Sequence, residues 1–359
     1  MRLASEGRRR RLFSIRQLAG ETMGGSLMSR RCGIVLLTVV MGVSLMSGSA
    51  SGQTETWKPP RTSDGVPDLQ GVYTFRTITP MQRPENFEGK VTLSPEEAAA
   101  FESAENTRLN RDLFDPITGA PSAGYAPRAE GGVLSYNEFW YERGIELTRD
   151  KRTALIVDPP DGRIPYTTGA REKNRVMRAN LSAGFADSYH DRSFADRCLM
   201  GFNSGPPMVP SAYNNNVMIF QIPGHVVIFN EMIHNARVIP IDGSPHGNLR
   251  QWVGDSRGHW EEDVLVIETT NFANGTAFRG STADTHLVER LWRVDPDTVF
   301  YEFTIKDPHS FTRPWTAMFP LRRTEGPLFE YACHEGNYGL EGILAGARNK
   351  NTQSVEESR

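Results

Sequence analysis

Val299-Phe300-Tyr301-Glu302-Phe303-Thr304-Ile305-Lys306 is the stretch of sequence that decides the fold. Its odd-numbered positions are all apolar, whereas most of its even-numbered positions are polar or charged. Because successive side chains of a β-strand point to opposite faces, this alternation predicts a strand that turns one face toward a core. The turn-forming sequence Asp295-Pro296-Asp297-Thr298 lies just before it and predicts a hairpin with the preceding segment.

Segments of the same kind surround this strand in the C-terminal half. Nine strands are predicted, at 217–222, 226–232, 236–241, 249–253, 264–270, 287–294, 299–305, 315–322 and 328–333. Turn-forming sequences such as Pro223-Gly224 and Asp255-Ser256-Arg257-Gly258 lie between them, and short connections imply antiparallel neighbours. A meander of this length has to close into a barrel, or split into a sandwich, to protect its edge strands. We therefore predict a mainly β protein with an antiparallel barrel-like region at 216–345.

The region before the barrel, residues 53–215, is predicted to be extended, to carry one or two helices and to pack on the barrel. A Pro- and Gly-rich lead-in ends at a short predicted strand, Gly71-Val72-Tyr73-Thr74-Phe75. Ser94-Pro95-Glu96-Glu97 combines an N-cap serine, a proline at the first helical position and a glutamate three residues after the cap. This pattern predicts a helix over 95–110. A second helix is predicted over 168–180.

Two further segments are predicted to lack regular structure. Residues 112–132 are rich in Gly, Pro and Ala and are predicted to form a long surface loop. Residues 346–359 are predicted to be a disordered tail.

The N-terminus has the organisation of a secretory signal peptide. Met28-Ser29-Arg30-Arg31 precedes an apolar run from Ile34 to Met46, and small residues follow up to Gly52. A run of about thirteen residues is too short to span a hydrocarbon core of roughly 30 Å as a helix. We therefore predict that residues 1–52 are a signal peptide with an over-extended start. The protein is predicted to be periplasmic or secreted, without a stable membrane anchor after cleavage.

The composition excludes several classes of protein. Of the 359 residues, 38% are hydrophobic and 23% are charged, which is typical of globular proteins and not of collagen-like or disordered chains. The formal net charge is −3, but the first 52 residues contain eight arginines and two glutamates, so the remaining chain carries −9. No Lys/Arg cluster follows residue 52 in the sequence, and the acidic balance argues against a nucleic-acid partner.

Two cysteines, Cys198 and Cys333, remain after the signal peptide. In an oxidising compartment we expect them to form one disulfide, which in the chain-entropy model would stabilise the fold by roughly 4–5 kcal/mol. Two alternatives stay open: a pair of buried thiols, or a catalytic pair of Cys198 with His334. Cys333 cannot pair with His334 if both lie on a strand, because adjacent strand residues point to opposite faces.

The candidate catalytic residues are Glu231, His234, His334 and Glu335. Imidazole and carboxylate groups are the usual general acids and bases near neutral pH. Glu231 and His234 differ in strand parity, so they converge only if a turn or bulge lies between them. A structural ion pair between Glu231 and Arg237 is the alternative to a catalytic role.

The candidate ligand-binding residues are Tyr213, Asn214, Asn216, Arg237, Glu302 and Trp315. The three consecutive asparagines 214–216 supply amide donors and acceptors at the end of a long Gly/Pro-rich loop, and loops of this kind are often functional. The alternative is a loop that is tied down by its own amides. The tryptophans 252, 260, 292 and 315 are expected either to pack a barrel core or to line a pocket for a largely apolar organic ligand.

Three functions are compatible with these groups. The first is an exported protein that binds a small organic molecule in an aromatic-rich barrel pocket and transforms it by metal-independent acid–base chemistry. The second is a non-catalytic ligand-binding or envelope protein, and the third is a metal-dependent hydrolase. Because neither a metal-binding HExxH motif nor a nucleotide-binding glycine motif is found in the sequence, no metal and no cofactor is predicted.

The chain resembles a family of secreted bacterial proteins to which no reaction is assigned. The matching segments are 64–69, 156–165, 252–260, 313–316 and 331–338. This resemblance implies export and one integrated unit, and it transfers no catalytic role. Gly71-Val72-Tyr73 also resembles the opening of lipocalin-type barrels, but the roughly 145 residues before the predicted meander depart from the compact plan of a lipocalin.

Overall fold

The computed structural model describes residues 57–110, 138–182, 186–275 and 278–357. The signal peptide predicted at 1–52 and the surface loop predicted at 112–132 lie outside these residues. The strands are β1 (Gly71–Thr74), β2 (Ile156–Asp158), β3 (Asn216–Ile222), β4 (His225–Asn230), β5 (Ala236–Pro240), β6 (Asp255–Glu261), β7 (Val264–Thr270), β8 (His286–Asp295), β9 (Thr298–Lys306) and β10 (Trp315–Arg323). The α-helices are α1 (Pro95–Leu109), α2 (Thr168–Ser182) and α3 (Tyr338–Glu357). Short 3-10 helices lie at Glu85–Phe87, Glu138–Trp140, Tyr189–Asp191, Met232–His234 and Phe278–Gly280.

The strands form a mainly antiparallel, nearly closed barrel, as the sequence predicts. Their order around the barrel is β5-β4-β3-β1-β10-β9-β8-β7-β6, and β2 pairs with β10 outside this path. The N-terminal strand β1 lies between β3 and β10, so the barrel is not built from the C-terminal half alone. The long antiparallel ladder between β8 and β9 is the hairpin predicted around the turn at 295–298.

Two of the nine strands predicted in the meander differ from the structure. Residues 249–253 and 328–333 are not strands, and β6 occupies Asp255–Glu261, where a turn is predicted. The composition of 255–258 is typical of a turn, but Gly258 has a packing role. A Cβ atom at this position would lie 3.1 Å from the side chain of Ile239 in β5 and 2.9 Å from that of Ile241. The glycine lets the two terminal strands of the sheet approach each other.

The interior of the barrel is filled by side chains. Val299, Tyr301, Phe303 and Ile305 of β9 have no exposed surface, which confirms the alternation in the sequence. The Trp315 ring of β10 packs against Phe303, Phe311 and Phe278, with ring centroids 5.6, 5.8 and 6.1 Å apart. These aromatic groups form one continuous core with aliphatic residues from β3 to β10.

A buried ion pair joins strands β5 and β8 across the interior of the barrel. Arg237 of β5 makes a bidentate contact with the carboxylate of Glu289 in β8, and both side chains are almost completely buried. The Tyr301 hydroxyl donates a hydrogen bond of 2.6 Å to Glu289 and accepts one of 3.0 Å from the Met208 backbone N–H. Within the described residues no backbone ladder joins β5 to β6, so this pair is a side-chain link between the first strand of the sheet and a strand near its other end.

The helices agree with the local signals in the sequence. Ser94 and Glu97 form the expected capping box at the start of α1, and Ala98 of α1 packs with Ile78, Leu93 and Leu147 in a separate small core. The second predicted helix is α2. In place of the disordered tail predicted at 346–359, the chain is helical up to Glu357. About half of residues 346–357, among them Ala347, Arg348, Lys350 and Glu356, are good helix formers.

We predict that Arg237→Met destabilises the fold by about 3–5 kcal/mol, because it leaves the Glu289 charge buried without a partner. The matched control is Arg290→Met on the outer face of β8, where the half-exposed pair with Glu261 is worth less than about 1 kcal/mol. The double variant Arg237→Met/Glu289→Leu should recover part of the loss. Chemical denaturation gives the free energy of unfolding, and equal losses for Arg237→Met and Arg290→Met would contradict the role of the pair.

Candidate functional site

One end of the barrel brings several of the predicted site residues together. β3 begins at Asn216, and β4 ends just before Glu231. The Asn216 side-chain amide nitrogen donates a hydrogen bond of 2.8 Å to Glu231, and it also lies 3.3 and 3.4 Å from the two carboxylate oxygens of Glu142. One amide group therefore lies between two carboxylates.

The two carboxylates have different surroundings. Glu231 is buried, and its second oxygen accepts a hydrogen bond of 3.0 Å from the Phe329 backbone N–H. Glu142 is half-buried, with Arg76 3.1 Å from its carboxylate. Burial raises the pKa of Glu142 above its ordinary value; Arg76 and Asn216 act in the opposite direction, and the charge of Glu231 raises the pKa further. Glu142 is absent from the candidates drawn from the sequence because nothing local marks it.

His234 lies close to Glu231 in the chain but is exposed. Ile233 and His234 both have left-handed backbone conformations, with φ of 58° and 40°, and the chain turns there between β4 and β5. A turn at this place is the condition under which the sequence predicts that Glu231 and His234 converge. His234 Nδ1 lies 3.3 Å from the Tyr331 carbonyl oxygen, so both residues contact the segment 329–331. The His234 backbone N–H donates a hydrogen bond of 3.2 Å to the Glu231 carbonyl oxygen, whereas the two side chains share no hydrogen bond within the described residues.

The loop before β3 is held by its own amides, which is the alternative that the sequence left open. The Asn203 side-chain nitrogen donates hydrogen bonds of 3.0 and 3.1 Å to the carbonyl oxygens of Tyr213 and Asn214. The Tyr213 ring lies between those of Phe202 and Tyr331, with centroid distances of 5.2 and 6.3 Å. Tyr213 and Asn214 therefore border the site. Asn214 takes part in these contacts through its backbone carbonyl oxygen.

The predicted disulfide is present and fixes the segment after β10 against this loop. Cys198 and Cys333 are bonded, with their Cα atoms 5.6 Å apart. The Asn337 side chain donates a hydrogen bond of 3.0 Å to the Asp196 carbonyl oxygen beside the bridge. His334 and Glu335 are exposed, and within the described part of the chain neither has a side-chain contact with Glu231 or His234.

Three other predicted site residues lie elsewhere. Arg237 and Trp315 are inside the barrel, in the ion pair and the aromatic core described above. Glu302 is on the outer face of β9, opposite Arg290 of β8, and burial raises its pKa against the lowering effect of Arg290. Glu289, the partner of Arg237, is not among the candidate catalytic or ligand-binding residues named from the sequence. Its position between the apolar Leu287 and Leu291 is the signal that could have identified it as an inward-facing acid.

A cavity of about 780 Å³ lies beside the barrel. We call it the aromatic cavity. It is lined by Lys173, Val176, Met177, Asn180, His190, Asp191, Arg192, Ser193, Phe194, Arg197, Trp252, Asn274 and Gly275. The Phe194 and Trp252 rings lie 5.5 Å apart, and Val176, Met177 and Trp252 are 43–47% exposed. Of these residues, only Trp252 could be connected with a pocket from the sequence.

Three cations share this cavity with the apolar side chains. Arg192 pairs with Asp196 at 3.0 Å, and the Arg197 guanidinium lies over the rings of Tyr189 and Phe194, at 5.1 and 5.2 Å. No carboxylate of the described residues lies within ion-pair distance of Lys173 or Arg197. The cavity thus combines apolar walls with positive charge, as sites for organic anions do.

The chain has no counterpart among the proteins compared with it: no model of a known family, no curated protein and no solved structure matches it. Among the described residues, no group of three or more His, Cys, Asp or Glu is placed to hold a metal ion. No helix in the same part of the chain is long and apolar enough to cross a membrane.

We predict that Glu142→Gln changes how stability depends on pH. A raised pKa in the folded state means that protonation of Glu142 stabilises the fold as the pH falls through that pKa, above the ordinary value of 4.5. The variant should lack this gain in stability. At neutral pH its free energy of unfolding should be within about 1 kcal/mol of that of the unmodified protein, because the half-exposed ion pair of Glu142 with Arg76 is weak. The measurement is Tm between about pH 4 and pH 8.

The matched control for this measurement is Glu146→Gln, whose carboxylate is exposed and lies 3.7 Å from Arg322. It should leave the pH profile of Tm unchanged. Identical profiles for Glu142→Gln and the unmodified protein would contradict the assignment of a raised pKa to Glu142.

Proposed function

We propose that this protein is exported and binds a small organic anion with an apolar body in the aromatic cavity. The observation that carries the proposal is the grouping of Val176, Met177 and Trp252, all substantially exposed, in one concave site with three cations. Exposed apolar side chains that cluster usually mark an interaction site. A volume of about 780 Å³ lies in the range of pockets for small molecules.

The surroundings indicate the chemistry of the ligand. The Trp252 and Phe194 rings offer flat apolar surface, and Lys173 and Arg197 offer positive charge that makes no ion-pair contact with a carboxylate of the described residues. Asp191 is the one acidic residue of the lining. A planar or short aliphatic carboxylate or sulfonate would satisfy both the apolar surface and the positive charge. We place the ligand beside the barrel and not inside it, because the aromatic side chains of the interior pack against one another.

Export is supported by two independent features. The first 52 residues have the charge and apolar pattern of a signal peptide. The Cys198–Cys333 disulfide is typical of proteins that work in an oxidising compartment.

Binding of anilinonaphthalene sulfonate, an aromatic sulfonate whose fluorescence rises in apolar sites, tests the proposal. We expect saturable binding that Trp252→Ala weakens about tenfold through lost apolar contact and Lys173→Gln about tenfold through a lost charged hydrogen bond. The controls Trp57→Ala and Lys306→Gln remove an exposed tryptophan and an exposed lysine away from the cavity and should leave the affinity unchanged. Equal affinity in all four variants, with unchanged Tm, would refute the site.

Acid–base catalysis is a second candidate function. It is favoured by the Asn216 amide between two glutamates and by the raised pKa of Glu142, because a carboxyl group that holds its proton can act as a general acid. We propose Glu142 as the acid, Glu231 as its charged neighbour and His234 as a second titratable group at the rim.

A panel of nitrophenyl esters and nitrophenyl glycosides tests this second function. If a substrate is turned over, Glu142→Gln should lower the rate roughly 10²–10⁴-fold while substrate affinity is kept, and His234→Ala should shift the pH profile. The control Glu146→Gln should retain full activity. Activity that survives in both Glu142→Gln and His234→Ala would exclude this end of the barrel as the site.

A further inference from the structure

A second cavity, of about 510 Å³, lies on the other face of α2. We call it the arginine cleft. Its lining residues are Gln82, Asp161, Arg163, Ile164, Pro165, Tyr166, Arg171, Asn174, Arg175 and Arg178. Arg171, Arg175 and Arg178 follow one another at intervals of four and three residues and so share one helix face. Lys173 and Met177 of the same helix line the aromatic cavity, so the two cavities lie on different faces of α2.

The wall opposite the helix is well fixed. Arg163 is half-buried there, and its backbone N–H donates a hydrogen bond of 2.9 Å to the Asp161 carboxylate. The next residue, Ile164, is buried and donates its N–H to the Gln82 side chain at 2.9 Å. The Tyr166 ring packs against Phe311 with a centroid distance of 5.5 Å. The fourth arginine is therefore presented by an ordered wall and not by a free loop.

The charges of the cleft are unbalanced. Arg175 pairs with Glu172 at 2.6 Å, but no carboxylate of the described residues lies within ion-pair distance of Arg163, Arg171 or Arg178. Asp161 is the one acidic residue of the lining. The chain after residue 52 carries −9, yet the fold places Arg163 opposite the three arginines of α2 around one concavity. An anion bound there would relieve the mutual repulsion of these guanidinium groups.

We infer that the arginine cleft binds a small molecule that carries two or more oxyanion groups of the phosphate or sulfate class. Guanidinium groups match the oxygens of these anions in bidentate fashion and remain charged at every physiological pH. Arg171 and Arg178 are separated by about 10 Å along the helix axis at roughly 1.5 Å per residue. Two oxyanion groups can therefore be bound at once, one toward each end of the cleft. The limited volume favours a small molecule over a polymer.

Calorimetric titration of the purified protein with inorganic pyrophosphate tests this inference, with inorganic phosphate, sulfate and chloride compared at matched ionic strength. We expect pyrophosphate to bind saturably at one site and at least about tenfold more tightly than inorganic phosphate, because two charged hydrogen-bonding groups are engaged. A sulfated disaccharide added in a parallel titration separates a preference for phosphate from one for sulfate. Chloride should give no saturable signal.

Three variants locate the site. Arg171→Gln/Arg178→Gln keeps good helix formers on an exposed face and should weaken pyrophosphate binding at least about tenfold. Arg163→Gln, on the opposite wall, should weaken it as well. The matched control Lys173→Gln/Lys306→Gln also removes two positive charges, yet it should keep pyrophosphate affinity. The same Lys173 substitution is expected to impair the aromatic cavity, so failure of one site can be distinguished from failure of the other.

Several outcomes would overturn the inference. Absence of saturable pyrophosphate binding, or equal losses in the arginine variants and the lysine control, would mean that the cleft is a solvated surface. Full affinity in Arg163→Gln would mean that the two walls do not act together. If a short single-stranded oligonucleotide binds more tightly than pyrophosphate, and the same variants abolish its binding, then the ligand of the cleft is a polymer and not a small molecule.

Discussion

The fold depends on how the barrel closes, and the buried contact between Arg237 and Glu289 joins the terminal strand β5 to β8 across the interior. β5 and β6 end the sheet without a ladder between them in the described residues. Isolated charges in such an interior would be expensive, but the pair is bidentate. The Tyr301 hydroxyl donates a further hydrogen bond to Glu289 and accepts one from the Met208 N–H. A buried pair of this kind contributes little net stability relative to apolar residues. We interpret its main role as fixing which strands face each other.

This closure also determines where functional groups can lie. Because aromatic side chains and the ion pair fill the barrel, the polar clusters occur at its end and the cavities on its outside. Met208, which donates to Tyr301, lies in the same loop as Asn203. That loop begins at the Cys198–Cys333 bridge and ends at Asn216, between the two glutamates. The interior network and the surface site are thus connected by one short stretch of chain.

The parts of the fold that local patterns determine could be predicted from the sequence. The alternation at 299–305, the capping box at Ser94 and the disulfide all follow from residue type and spacing. Strand β6 could not be predicted, because Gly258 serves a contact with β5 that no local pattern reveals. The surroundings of the candidate site could not be predicted for the same reason: Glu142 reaches Asn216 across 74 positions of the chain, and Arg163 meets the three arginines of α2 only after folding. Glu231, Asn216 and Tyr213 could be named as candidates because strand ends and loop composition mark them in the sequence.

Helix α2 explains how one segment can serve two cavities of different chemistry. Its buried residues, Ala170 and Asn174, are spaced by one turn and anchor it toward the barrel. A Cβ atom on Gly280 would lie 2.2 Å from the Asn174 side chain, so glycine permits this close contact. The Thr167 hydroxyl accepts a hydrogen bond from the Ala170 N–H, and the Thr167 backbone N–H donates one to the Ser310 carbonyl oxygen. Anchored in this way, the helix leaves two flanks exposed. The arginine flank and the Lys173–Met177 flank then line different cavities and share no side chain, which is the arrangement that two separate anion sites require.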